Sequence, residues 1–412
     1  MALNSASRLP LPRLRPAAII YTPDLHSGDL LNDFADELKS RGFRVGGLVQ
    51  ETMRDATGKK LGIDLVEVDS GRHIPIHQIL GKQSGSCAID AGAVADATSA
   101  LRRAVTENHD LVMVNKFSHL EKNGGGLADD MLRVLSEGLP LITCVAAEFL
   151  GAWMEFCGGA CELLPPKREA LWRWWGAARL YRDLELRACG KGCAKRVAIG
   201  LNWTLVEGPD GVGLAQTPAR FRQGCRAVPR AGDFAGQSLE KLAGLVHEND
   251  PYLAALGLAA INAAINVKRI KGGTTNGLDL FADIDGPVTV IGRFPGLEGR
   301  VKQPQIVERE PIEGEYPENA APTLIRNGEA ALITAAALAN RSLPALLEAA
   351  WDIPVALVGP GTPLTPRLFD YGVTHLSGLV VTDEEGLFHS VAEGGASKAM
   401  KRHCRMVTIS QA

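Results

Sequence analysis

Short apolar runs alternate with amphipathic stretches along most of the chain, the pattern of strands connected by helices. Ala17-Ala-Ile-Ile-Tyr21 reads as a buried strand, and Leu30, Leu31, Phe34, Ala35 and Leu38 fall at helical spacing through residues 28–41. Residues 45–50 give a second strand, residues 93–108 a helix, and Asp110-Leu-Val-Met-Val-Asn115 a strand whose end turns polar. That order predicts a parallel sheet. Further along, residues 197–206 read as a strand, Gly208-Pro-Asp-Gly211 as a turn, and residues 212–216 as the returning arm of a hairpin. Asp250-Pro251 opens a helix that runs through Leu253, Leu256, Ile261 and Ile265 to about residue 268. From residue 288 onward, five apolar strands at 288–291, 305–307, 331–334, 355–358 and 378–382 predict a Rossmann-like sheet. The expected fold class is α/β: a disordered tail (1–16), a parallel-sheet domain (17–165), a small α+β domain (167–285) and a Rossmann-like domain (286–412).

At 412 residues the chain exceeds one ordinary core, which agrees with several domains. A net charge of −3 gives no electrostatic reason to expect nucleic acid or an anionic membrane as partner. No apolar run approaches the ~18–20 residues of a membrane span, and the first sixteen residues carry Arg8, Arg13 and Arg15 without an apolar signal core. The expectation is a cytoplasmic protein, with self-association left open. Eight cysteines in a chain of this length suit a reducing compartment where thiols stay free or bind metal.

Chemistry is concentrated where strands end. Val355-Ala-Leu-Val-Gly-Pro-Gly-Thr-Pro-Leu-Thr-Pro366 reads as strand, tight loop and helix start, with Thr365 as N-cap and Pro366 at the first helical position. A helix start at a strand's carboxyl end can offer N–H groups to an anion. Gly359, Gly361, Thr362 and Thr365 are therefore candidates, against the alternative that the loop is a plain connection. Thr334 and Asn340 end the neighbouring strand and are expected on the same edge, and Asn262 and Asn266 sit one helical turn apart, facing a ligand or capping a loop. Gly292, Gly296 and Gly299 follow the first Rossmann strand, and Glu308 or Glu310 ends the second, where an acid could meet a ribose hydroxyl. In the first domain, Asn115, Lys116 and Glu121 precede a glycine run and form a second candidate site. The loop after the first strand occupies the place of a phosphate loop, but Asp29 stands where that loop needs lysine. A carboxylate there repels a triphosphate, so ATP hydrolysis at this loop is not expected.

Two cysteine pairs, Cys157 with Cys161 and Cys189 with Cys193, have spacings compatible with a four-thiolate metal site or with free thiols. Between them lies Leu171-Trp-Arg-Trp-Trp175, which suits inter-domain packing better than stacking on nucleic acid, because Asp183 and Glu185 interrupt the basic face downstream. His73 and His77 would lie about 13 Å apart on an extended strand, too far to share an ion.

Gly47-Leu-Val-Gln50, Leu80-Gly81, Ser86-Cys87 with Asp90, and Asn115-Lys-Phe followed by Glu121 resemble a domain family of uncharacterised function often encoded beside molybdate ABC transporter genes. That resemblance implies a fold related to P-loop nucleoside triphosphatases and an association with molybdenum handling. Ile333-Thr334, Leu338-Ala-Asn340, Val358-Gly-Pro-Gly-Thr-Pro-Leu364, Gly372 and Gly378-Leu-Val-Val-Thr-Asp383 resemble the heavy-metal chelation domain family. Residues 196–285 resemble its usual partner with an enolase N-terminal-like fold. This second resemblance implies binding of a metal or metal complex. The matching loops hold no His/Cys/carboxylate cluster, so an oxyanion such as molybdate, or a liganded metal, suits their N–H and hydroxyl donors better than a bare ion. The expected function is ligand binding in metal homeostasis, in the cleft between the two C-terminal domains. The alternative is an enzyme that holds a nucleotide-type cofactor in the Rossmann-like domain.

Overall fold

The computed structural model describes residues 12–21, 27–58, 60–76, 91–219 and 227–411. The chain divides into two compact units, Pro12–Trp175 and Gly176–Ala412.

The first unit is a seven-stranded mixed sheet. Its strands are β1 (Ala17–Tyr21), β2 (Val45–Arg54), β3 (Lys60–Glu67), β4 (His73–Pro75), β5 (Leu111–Phe117), β6 (Leu141–Ala146) and β7 (Glu162–Leu164), in the order β4-β3-β2-β5-β6-β1-β7. Strands β2, β5, β6, β1 and β7 run parallel, and β3 and β4 add an antiparallel edge. The central strands Leu111–Phe117 and Leu141–Ala146 are almost wholly buried, as strands covered on both faces must be. The helices Ser27–Arg41 and Ala91–Thr106 lie close to the two sequence expectations. β3, β6 and β7 add strands that the sequence pattern did not single out.

The tryptophan-rich stretch forms the helix Arg168–Trp175, and the structure places it within this first unit. Trp172 and Trp175 meet Phe34 edge-on at 5.4 and 6.4 Å, and Trp175 meets Phe43 at 5.4 Å. Arg168 and the Trp172 indole N–H both donate to Glu37. The rings are buried and are not a surface for stacking on bases. Pro12–Pro16 are held as well: Pro16 accepts from the Glu162 N–H at 2.8 Å and Arg15 from the Trp174 indole at 2.9 Å. The rest of the expected tail lies outside the described residues.

The second unit opens with a three-stranded antiparallel sheet, β8 (Arg196–Ile199), β9 (Trp203–Glu207) and β10 (Val212–Gln216), in the order β10-β9-β8. Residues 197–206 are thus two strands rather than one. A turn at Gly200-Leu-Asn202, closed by the Gly200 N–H donating to Trp203 O at 2.9 Å, folds the run back on itself. The helix Pro251–Ile265 is capped by Asp250, whose carboxylate accepts from the Tyr252 and Leu253 N–H groups, and it lies against β9 and β10. Contact with β10 is backbone to backbone. A Cβ on Gly213 would come within 1.9 Å of Ala259 O and 2.2 Å of Ala263 N, so only glycine permits this approach.

The third sheet has strands β11 (Pro287–Ile291), β12 (Gln303–Glu308), β13 (Tyr316–Pro317), β14 (Ala330–Thr334), β15 (Val355–Val358), β16 (His375–Val381) and β17 (Cys404–Ser410). Their order is β13-β12-β11-β14-β15-β16-β17, parallel except for β17. The chain leaves β11 toward β12 on one side and returns to β14 on the other. The sheet therefore reverses its winding between β11 and β14, and a crevice opens outside their carboxyl ends.

Candidate functional site

The crevice at that reversal holds cavities at the carboxyl ends of the strands, where an open α/β sheet binds its ligands. A cavity of about 430 Å³ is lined by Gly292 and Arg293 after β11, by Glu308 at the end of β12 and Arg309 after it, and by Thr334 at the end of β14 and Asn340 beyond it. A second cavity of about 490 Å³ adds Thr217, Glu248, Asn249 and Arg341. Gln216, Arg309, Ala336 and Asn340 belong to the walls of both, so the two form one cleft from the Rossmann-like sheet to the end of β10. Each volume suits a small molecule.

Charge in the cleft is sorted by pairing. Arg293 is occupied, because its guanidinium donates twice to Glu315 at 2.8 and 2.6 Å and holds that carboxyl down at about 2. Glu308 is occupied too, by the Arg293 N–H at 2.7 Å and the Arg309 N–H at 3.2 Å. Arg309 itself is held loosely, 3.6 Å from Glu318, with its side chain largely exposed. Among these charged groups it is the one held most loosely. Asn340 commits its carbonyl to Ser342, leaving its amide hydrogens without a partner among the described residues, and Thr334 accepts from the Ala336 N–H at 3.3 Å. Sequence reasoning named Thr334 and Asn340 but missed Arg309 and Gln216. The signal for Arg309 was its place directly after the acidic end of β12.

The glycine loop that looked like an anion site serves the fold. Residues 361–365 are buried. The Gly359 N–H donates to Ser377 O, Thr362 N–H to Gly359 O, Thr365 N–H to Pro363 O and Leu364 N–H to the Asn266 side chain. Asn262 donates to Leu214 O at 2.8 Å and Gly361 O at 2.9 Å, and Asn266 donates to Thr362 O at 2.9 Å. The two asparagines thus clamp the loop to the helix Pro251–Ile265 and to β10. Thr365 caps the Arg367 N–H at 3.5 Å, but the helix it opens is one short 3-10 segment, Pro366–Tyr371. Thr362 Oγ1 is buried with no partner. Thr362→Val, which removes that orphaned hydroxyl at constant shape, is expected to leave stability unchanged or raise it by up to about 1 kcal/mol in urea unfolding. A loss of more than that would mean the hydroxyl is bonded.

The nucleotide alternative fares no better in detail. A dinucleotide's pyrophosphate needs a helix starting at the glycine turn, yet residues 292–302, all described, contain none. Glu308, the ribose candidate, already accepts from two backbone N–H groups, and Glu310 is exposed.

In the first unit, Asn115 and Lys116 precede the last residue of β5, where its pairing with β6 shifts register. Lys116 Nζ lies 5.3 Å from the Tyr21 ring at the end of β1. Glu121, the third member of that candidate site, is buried and turned to its own loop. It accepts from the Ser118 N–H and hydroxyl at 3.0 Å and from the Leu127 N–H at 3.3 Å, fixing that loop. Asp29 is exposed in the first turn of its helix, and residues 22–26 before it lie outside the described residues, as do His77, Leu80-Gly81 and Ser86-Cys87 with Asp90. His73 is exposed, 3.6 Å from Asp64.

Cys157 and Cys161 lie in the first unit, Cys189 and Cys193 in the second, and all four are free thiols. Among the described residues no group of three or more His, Cys, Asp or Glu side chains is placed to hold a metal ion. Burial, then the neighbouring Cys161, pushes the Cys157 thiol up to about 12. Because the thiolate is the nucleophile, alkylation of Cys157 by iodoacetamide at pH 8 is expected to run at least tenfold slower in the folded chain than in urea. Equal rates, read by mass spectrometry, would show that the thiol is not shielded.

Residues 16–174 match the family described as "Protein of unknown function (DUF2478)". Residues 181–265 and 277–410 match two families, DUF4213 and DUF364, both described as "Putative heavy-metal chelation". These matches bear out both resemblances read from the sequence. A molybdenum import ATP-binding protein, ModC 2, of Bradyrhizobium diazoefficiens is 37% identical over 161 residues. The aligned part is 39% of this chain and 18% of that protein, and it belongs to the N-terminal domain. A solved DUF364-family structure from Desulfitobacterium hafniense is 29% identical with a TM-score of 0.51, covering 57% of this chain and 97% of that one. One from Pyrococcus horikoshii, at 20% identity and a TM-score of 0.50, covers 57% and 98% and shares the fold. No helix among the described residues is long and apolar enough to cross a membrane.

Proposed function

We propose that the second unit binds an anionic small molecule or a liganded metal in the cleft at the carboxyl edge of its Rossmann-like sheet, and that the protein serves metal homeostasis, with molybdenum the favoured element. The observation that carries this reading is Arg309. It is loosely held and lines both cavities, whose other polar walls include Gln216, Thr334, Asn340 and Ser342. A planar guanidinium suits carboxylate and oxyanion groups. The described residues supply no cage for a bare cation, so a metal would arrive already coordinated. The heavy-metal description of the two matched families supports the ligand class, and the name of the Bradyrhizobium relative supports molybdenum.

Anaerobic purification followed by elemental analysis and mass spectrometry of the released ligand identifies what is bound. Calorimetry with molybdate, tungstate and phosphate then measures Arg309→Ala against the parent. A hydrogen bond to a charged group contributes roughly 1.5–3 kcal/mol, so binding should weaken by about ten- to a hundredfold. Full-strength binding of these anions by the variant would place their site elsewhere.

A further inference from the structure

Glu248 follows the 3-10 turn Gly244–His247 and stands in the wall of the larger cavity, 4% exposed. Its Oε1 is fully covered and accepts no hydrogen bond. Arg341 interacts with it electrostatically but gives it no hydrogen bond. Arg341 donates instead to the main-chain oxygens of Val246, at 2.8 Å, and of Glu248 itself. The Glu248 N–H is likewise fixed, on Leu245 O at 3.0 Å. The backbone is therefore pinned on both sides while the carboxyl group is left over. A covered carboxyl oxygen with no donor is costly, and a ligand that brings a donor to it removes the cost. Across the same cavity lie Arg309 and the amides of Gln216 and Asn340. An acceptor and a cation in one cavity match a ligand carrying both an amine and a carboxylate.

We propose that Glu248 is the acceptor for a ligand N–H, so that the cleft takes an amino carboxylate, free or wrapped round a metal ion, with its carboxylate on Arg309 and its amine on Glu248. The proposal rests on reading the cleft as an anion site and names the ligand class. A coordinated secondary amine keeps its N–H, so the same contact serves the free and the chelated form.

The test uses iminodiacetate and diglycolate, which share two carboxylates and differ in having an amine or an ether at the centre. Each is titrated calorimetrically into the full chain, alone and as its nickel(II) complex. The parent is expected to prefer iminodiacetate by about tenfold or more, the worth of one hydrogen bond to a charged group. Glu248→Met should abolish the preference while diglycolate binding stays within about threefold, and Arg309→Ala should weaken both probes. Ligand-free Glu248→Met should melt at or above the parent's temperature, because an unpartnered group has been removed. Should it fail to fold, or melt lower, Glu248 is structural and the proposal is overturned. Glu248→Gln keeps the shape and removes the charge, and an undiminished preference for iminodiacetate in that variant overturns the proposal as well. Equal binding of the two probes by the parent, still sensitive to Arg309→Ala, sinks the role of Glu248 alone. Binding insensitive to Arg309→Ala, or no binding of either probe, sinks the cleft reading with it.

Discussion

Asn266→Leu is expected to destabilise the second unit by about 3–5 kcal/mol, the sum of two buried backbone groups left without partners. Asn266 is 2% exposed, accepts from the Leu364 N–H at 2.9 Å and donates to Thr362 O at 2.9 Å. Leucine fills similar space and makes neither bond. The loop it holds connects β15 to the next helix and is also gripped by Asn262, so its release frees a stretch that lies against β10. Calorimetric melting should show a drop of roughly 10 °C for a unit of this size, and hydrogen exchange should rise in residues 359–365 while the first unit keeps its protection. A shift below about 2 °C, which corresponds to less than 1 kcal/mol, would show that water replaces the clamp.

Glu121→Ala should open the loop after β5 in the first unit, at a cost of about 2–4 kcal/mol. One buried carboxylate there holds the Ser118 N–H, the Ser118 hydroxyl and the Leu127 N–H, and closes a capping box on the short helix His119–Lys122. Alanine leaves all three donors to find water. Exchange of the amides between Ser118 and Leu127 should speed up by about a hundredfold, the equivalent of 2.7 kcal/mol. Gly126→Ala should produce the same opening by another route, since Gly126 has φ of 59° and a Cβ there would lie 2.2 Å from Glu121 Oε1. Unchanged exchange in both variants would mean that the loop is fixed by its backbone alone.

Much of the architecture was legible because strands buried on both faces are written as unbroken apolar runs. Residues 17–21, 111–114 and 355–358 declare themselves this way, and Asp250-Pro251 marks a helix start by local chemistry. The resemblances added the order of the three domains. Other strands were missed because their pattern is ambiguous without partners. Glu162–Leu164 and Tyr316–Pro317 are two or three residues long and exist as strands because β1 and β12 lie beside them.

Residue types, but not their roles, could be read at the candidate sites. The sequence placed Asn262, Asn266, Thr362 and Glu121 near loops at strand ends, yet whether a polar group faces a ligand or its own backbone depends on what packs against it. The helix Pro251–Ile265 can approach β10 closely because Gly213 has no side chain, and that approach turns both asparagines into clamps. What the sequence determined was the set of elements, since burial and capping are local patterns. Tertiary structure alone decided which polar groups are firmly paired: it committed Glu308 and Arg293 to the fold, and left Arg309 loosely held and Glu248 Oε1 without a donor, because pairing is settled only when distant segments meet.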